Sequence, residues 1–205
     1  MINLDHTAIA VVLPQLHHDL GMNETMQQWV INSYLLMVGV FMIVGGKISD
    51  RIGQRHAFLI GLWGFIVASI FCGISFTSLS IILARALQGG FAAILMPNMG
   101  VTIINSFPKK QQSMAIGIYA GSASIFLAIG PLIGGVFTQF LTWRFIFWLN
   151  LPLGLLSILI ARKNIRPFYK KPSKTPINWL GFIVLAITSA SLLTALMEGV
   201  NLGWT

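Results

Sequence analysis

Along this chain the apolar positions fall into long runs, and the polar positions gather in short breaks between them. A helix that crosses a bilayer needs about 20 mostly apolar residues. Six stretches meet that requirement: 29–45 with its flanks, 57–75, 81–104, 114–137, 145–161 and 177–197. The opening stretch 1–13 is apolar around Asp5 but too short to cross alone. It meets Pro14, which cannot donate the next helix hydrogen bond, and the polar stretch 15–23 follows. It reads as part of a first transmembrane helix whose beginning is absent. A secretory leader is disfavoured: the basic leading region is missing, and Asp5 and His6 fall where the leader's core must be apolar. The pattern predicts an all-α integral membrane protein with seven crossings, the first partial.

Composition sharpens this picture. Hydrophobic residues make up 56% of the 205 positions and charged residues only 9%. Soluble domains carry about 25% charged residues, so lipid must be the solvent for most of this surface. A net charge of +8 raises the question of nucleic acid, but the charges lie at the ends of apolar runs, as in membrane loops. With the partial helix counted first, loop 2–3 holds Lys47, Arg51 and Arg55, and loop 4–5 holds Lys109 and Lys110. Loop 6–7 holds Arg162, Lys163, Arg166, Lys170, Lys171 and Lys174. Eleven of the 13 basic residues thus share one side, which the positive-inside rule makes cytoplasmic. The implied domains are a bundle at 1–162, a basic linker at 163–176 and a seventh helix with its outer end at 177–205. The location is a cell (inner) membrane, crossed many times.

Few residues are left to carry chemistry. Asp5 is the sole acidic residue well inside an apolar stretch, and an intramembrane carboxylate is a functional candidate by default. Arg85 lies inside the fourth span, where a charge costs about 2.5–3.5 kcal/mol on insertion scales and so seeks a cavity or partner. Gln88 is three residues on, so both can face one cavity. Between the second and third spans stand Gly46, Asp50, Arg51, Gly53 and Arg55. The glycines Gly45, Gly46 and Gly53 permit a tight turn and close helix approach, and the charges can bind helix ends. In the fifth span, Gly130 and Gly134 form a small-residue face; Pro131 bends the helix, and Gly135 extends the cluster. His17 and His18 read as solvated outer-loop residues, too few for a zinc site. Neither a metal nor another cofactor is implied, no phosphate-binding loop is present, and no nucleophile–base pair marks an enzyme.

Taken together, these blocks resemble the major facilitator superfamily, and more narrowly its fourteen-helix drug:proton antiporters of the EmrB/QacA type. Leu4-Asp5-x-Thr7 with Leu13-Pro14 matches in the first helix, as do the loop 2–3 residues and Arg85, Gln88 and Gly89. So do Gly130, Pro131, Gly134 and Gly135, then Trp143-Arg144-x-Ile146-Phe147-x-x-Asn150-x-Pro152-x-Gly154, and Trp179-x-Gly181. Phe91, Phe126 and Asn178 depart from the family's usual residues. The resemblance implies a first six-helix bundle plus one extra helix, a second bundle outside this chain, and an envelope adaptor protein as a further partner. It implies export of hydrophobic or cationic small molecules against protons, with Asp5 as proton carrier and Arg85 as its modulator. In that picture the fifth-helix glycines slide between bundles, and Asp50 and Arg51 latch the cytoplasmic side. A proton:solute symporter or uniporter of the same fold, and a non-transporting membrane fragment, remain as alternatives.

Overall fold

The structure, a computed structural model, describes residues 1–164 and 179–198. These form seven helices and no strands: α1 (Ile2–Leu20), α2 (Glu24–Ile52), α3 (Gln54–Gly73), α4 (Ser78–Ser106), α5 (Lys109–Phe140), α6 (Arg144–Asn164) and α7 (Trp179–Glu198). α2 to α7 are each long and apolar enough to cross a membrane. They contain the six predicted spans, apart from Ile74 and Ser75, which follow the end of α3, and the two leading residues of the last span, which lie outside the described residues. In hydrocarbon each backbone group must be satisfied within its own helix. A chain this poor in polar side chains therefore has little choice but long helices joined by short turns.

The turns are written in local chemistry. Asn23 caps α2 by accepting from the Met26 amide at 2.8 Å. Thr77 and Ser80 form a reciprocal capping box at the start of α4. Between α2 and α3 the connection is one residue, Gly53, at φ +88°, a backbone region that side chains rarely tolerate. The predicted loop 2–3 is therefore mostly helix: Gly46, Lys47, Asp50 and Arg51 sit in the last turns of α2, and Arg55 in the first turn of α3. Gly53 alone makes the turn.

The first helix also differs from expectation. Pro14 does not end α1, which runs on to Leu20 and closes with Gly21 at φ +59°. Leu16 is fully buried and Leu20 packs against the same cluster, so the apolar stripe continues past the proline and holds the last turns. Gln15, His17 and His18 are accordingly helical. The His17 ring meets the Met22 carbonyl, while His18 is solvated beside Asp19 at 3.3 Å.

Two apolar clusters form the core. One gathers Leu4, Ala8, Val12 and Leu16 with Val30, Ile81, Trp143 and Phe147. The other joins Tyr34, Leu62, Phe65, Ala92 and Leu95. Close helix pairs rest on glycine: a Cβ on Gly45 would strike the Ala93 carbonyl, and one on Gly89 the Tyr34 carbonyl, so α2 and α4 touch nearly backbone to backbone. Phe91, one of the departures noted above, fills the hollow beside Gly64 of α3. α7 rests on α2, with Phe41 and Phe182 ring centroids 5.0 Å apart. Residues 165–178, including most of the linker and Asn178, lie outside the described residues.

Candidate functional site

Between the two apolar clusters lies a polar centre. Asp5, Ser69, Arg85, Gln88 and Asn150 are all fully buried, and they come from α1, α3, α4 and α6. Arg85 Nη1 donates to Asp5 Oδ2 at 2.6 Å and to Gln88 Oε1 at 2.7 Å. Gln88 Nε2 donates to Ser69 Oγ at 2.9 Å. Asn150 Nδ2 donates to Asp5 Oδ1 at 3.0 Å and to Ser69 Oγ at 2.9 Å. The bonds close into a ring of five side chains. Charged residues are almost never fully buried unless paired, and here the pairing is complete on the carboxylate, whose two oxygens each accept one bond.

Arg85 is anchored on other sides as well. Its Nε donates to the Val30 carbonyl at 3.2 Å, where α4 lies against α2. Its guanidinium carbon stands 4.2 Å from the centroid of the Tyr34 ring, a cation–π contact strengthened by the burial of both side chains. Arg85 therefore does not reach outward to the membrane interface; it points into the bundle. Asp5 is likewise enclosed.

The other predicted residues lie apart from this centre. Gly130 and Gly134 face α1: a Cβ on Gly130 would collide with the Thr7 hydroxyl and come within 3.1 Å of the Leu4 carbonyl, and one on Gly134 would lie 2.9 Å from the Ala8 carbonyl. These two glycines seat α5 against the helix that carries Asp5. This is an inside-bundle contact, where the resemblance implied sliding between bundles. Gly135 has open space beside it, and Pro131 lies within the continuous α5. Gly46 also borders open space. Arg55 Nη2 donates to the Arg162 carbonyl at 2.8 Å, tying α3 to the end of α6. Near the same end, Ser49 hydrogen-bonds Asn98 between α2 and α4.

At the opposite end Trp143 Nε1 donates to Asp19 Oδ2 at 3.1 Å, and Arg144 Nη2 donates to the Ser75 carbonyl at 3.0 Å. These bonds fasten the ends of α1 and α3 to the start of α6. Ser69, Tyr34 and Asn150 were not singled out as site residues from the sequence. Asn150 had a visible signal, an amide in the middle of an apolar run, whereas Ser69 and Tyr34 had none beyond being polar within a span.

The family model described as Major Facilitator Superfamily matches residues 1–203. The chain belongs to the Major Facilitator Superfamily. Among its relatives in the superfamily, a tetracenomycin C resistance and export protein of Streptomyces glaucescens is 32% identical over 204 residues, covering 100% of this chain and 38% of that protein. A puromycin resistance protein of Streptomyces alboniger is 37% identical over 163 residues, covering 79% and 32%. A cephamycin export protein of Amycolatopsis lactamdurans is 34% identical over 204 residues, covering 99% and 40%. The chain thus spans well under half the length of these relatives. A crystal structure of a peptide transporter in complex with sulfate matches with a TM-score of 0.73 at 16% identity, covering 98% of this chain and 44% of that one. That likeness shows the superfamily fold. The expected fold class and multi-pass membrane location hold.

Proposed function

We propose that this superfamily member works in proton-coupled export of hydrophobic or cationic small molecules, by alternating access, with the Asp5–Arg85 pair as the coupling centre. The observation that carries this reading is the fully buried ion pair at 2.6 Å, set in a closed polar ring within a largely apolar bundle. Its relatives are named for antibiotic resistance and export, which supports export over uptake. A buried pair adds little stability by itself, so a charged pair kept inside a membrane bundle marks function.

The mechanism follows from competition for one carboxylate. When Asp5 is ionised, Arg85 neutralises it. When Asp5 takes a proton, that attraction vanishes, and Arg85 turns to Gln88, Val30 and the Tyr34 ring, which already hold it. A cationic substrate and a proton then exclude each other at the same charge. Rocking of this bundle against a second one exposes the site to one side at a time. An inward-negative potential favours inward proton movement by about 2.3 kcal/mol per charge per 100 mV. The cytoplasmic ends of α2 and α3, with Asp50, Arg51 and Arg55, serve as the latch toward the second bundle. An envelope adaptor protein is a further proposed partner.

The test is energised efflux of a cationic dye and of puromycin from cells expressing the complete native reading frame. Asp5→Asn and Arg85→Ala should each abolish efflux while leaving membrane insertion intact. Unchanged efflux in Asp5→Asn, or accumulation instead of extrusion in the unaltered protein, would overturn the proposal.

A further inference from the structure

An imidazole, His6, stands beside the polar centre. His6 follows Asp5 on α1, about 100° around the helix, and is partly exposed while Asp5 is enclosed. Its ring stacks on Tyr34 at 6.3 Å between centroids and 27° between planes. Tyr34 in turn covers Arg85, which holds Asp5. Buried polar atoms with no protein partner recur along this sequence of neighbours: His6 Nδ1, the Tyr34 hydroxyl, Arg85 Nη2 and Asn150 Oδ1. Buried polar groups are otherwise nearly always hydrogen-bonded. Three of these exceptions lead from His6 through Tyr34 to Arg85, and the fourth, on Asn150, meets them at Asp5, so together they form a polar line from the partly exposed face of α1 to the enclosed carboxylate.

We infer that His6 is the proton relay of this transporter, taking protons at the exposed face of α1 and handing them to Asp5 along the line of Tyr34, Arg85 and Asn150. The inference rests on the proposed role of Asp5 as proton carrier. Imidazole suits the task because it ordinarily gains and loses its proton near neutral pH. A proton binds neutral His6 to give imidazolium. It then passes to an Asp5 oxygen, through water held by the unpartnered donors and acceptors, and leaves neutral imidazole and a carboxylic acid. No other species is consumed. Water is needed because successive residues on a helix do not face one another.

Other ionisable groups also face the centre: the Met1 amine senses Asp5 from the start of α1, and the Cys72 thiol of α3 donates to Gln88 Oε1. Asp5 is the charged neighbour of His6 on its own helix, Arg85 faces it from α4, and Tyr34 is the titratable group from α2. Across the stretch of α5 seated on α1, from Ala123 to Gly134, no residue titrates, and none does along α6 from Ile146 to Gly154.

The experiment uses vesicles carrying the protein from its complete reading frame and a cationic dye as probe. Dye flux driven by a pH difference is compared with dye–dye exchange at equal pH, for wild type, His6→Gln, His6→Asn and Asp5→Asn. In both His6 variants, pH-driven flux should fall roughly tenfold or more and lose its dependence on pH, while exchange stays within about twofold of wild type. The relay is overturned if either well-inserted His6 variant keeps the wild-type pH profile, or if exchange falls in parallel with flux, the mark of a structural role. Asp5→Asn separates the two claims. Loss of pH-driven flux there with an unaltered His6→Gln profile removes only the relay, whereas retained flux in Asp5→Asn removes the coupling centre itself.

Discussion

Breaking the buried pair from one side should cost far more than removing it whole. In Asp5→Ala, Arg85 keeps its bonds to Gln88 and Val30 and its place over Tyr34, but its charge lies fully buried with no counter-charge. Removing one partner of a buried pair costs about 3–5 kcal/mol. Asn150 also loses one of its two acceptors, though Ser69 remains to it. For a chain of this size each kcal/mol moves the unfolding midpoint by roughly 2–4 °C, so the single change should lower it by about 6–20 °C. Asp5→Ala/Arg85→Leu removes the orphaned charge and replaces it with an apolar side chain. Such replacements are often neutral or stabilising, so the double variant should recover much of the loss. The assay is thermal unfolding of purified protein in detergent, followed by loss of the monodisperse peak in size-exclusion chromatography. A double variant whose loss equals the sum of the two singles would refute the reasoning, because the two side chains would then not be coupled.

The α1–α5 seat makes its own forecast. Gly130→Ala should destabilise by about 1–3 kcal/mol, since the added methyl meets Thr7 and Leu4, while Gly135→Ala, in open space, should not; the same midpoint measurement checks both. Gly53→Ala forces a side chain into φ +88° and should cost about 1–2 kcal/mol, with Gly46→Ala as a neutral control. Reporter tags between α4 and α5, and after α6, should be protected inside intact cells, and a tag between α3 and α4 should be accessible from outside.

How far the sequence foretold this architecture depends on the range of the interaction. The spans were legible because hydrocarbon enforces a length and a composition on each of them. Arg85 with Gln88 was legible because three residues along a helix bring two side chains to one face. That Asp5 is the partner of Arg85, 80 positions away, could be framed only as a role implied by resemblance; no local pattern encodes it. Ser69 and Asn150 were harder still, since one hydroxyl or amide in an apolar run gains meaning only when neighbouring helices converge. The missing donor of Pro14 favours a helix end there, but burial of Leu16 outweighs it. Gly46 misled because its neighbours read as a loop, although α2 carries its helix through the charges to Gly53.

Coupling at this centre requires that proton and substrate compete for Asp5. Purified protein in weakly buffered detergent, brought to a pH low enough to protonate Asp5 and mixed with a saturating cationic dye that it extrudes, should release up to one proton per dye bound, and Asp5→Asn should release none. Dye binding without proton release in the unaltered protein, or undiminished release in Asp5→Asn, would contradict it.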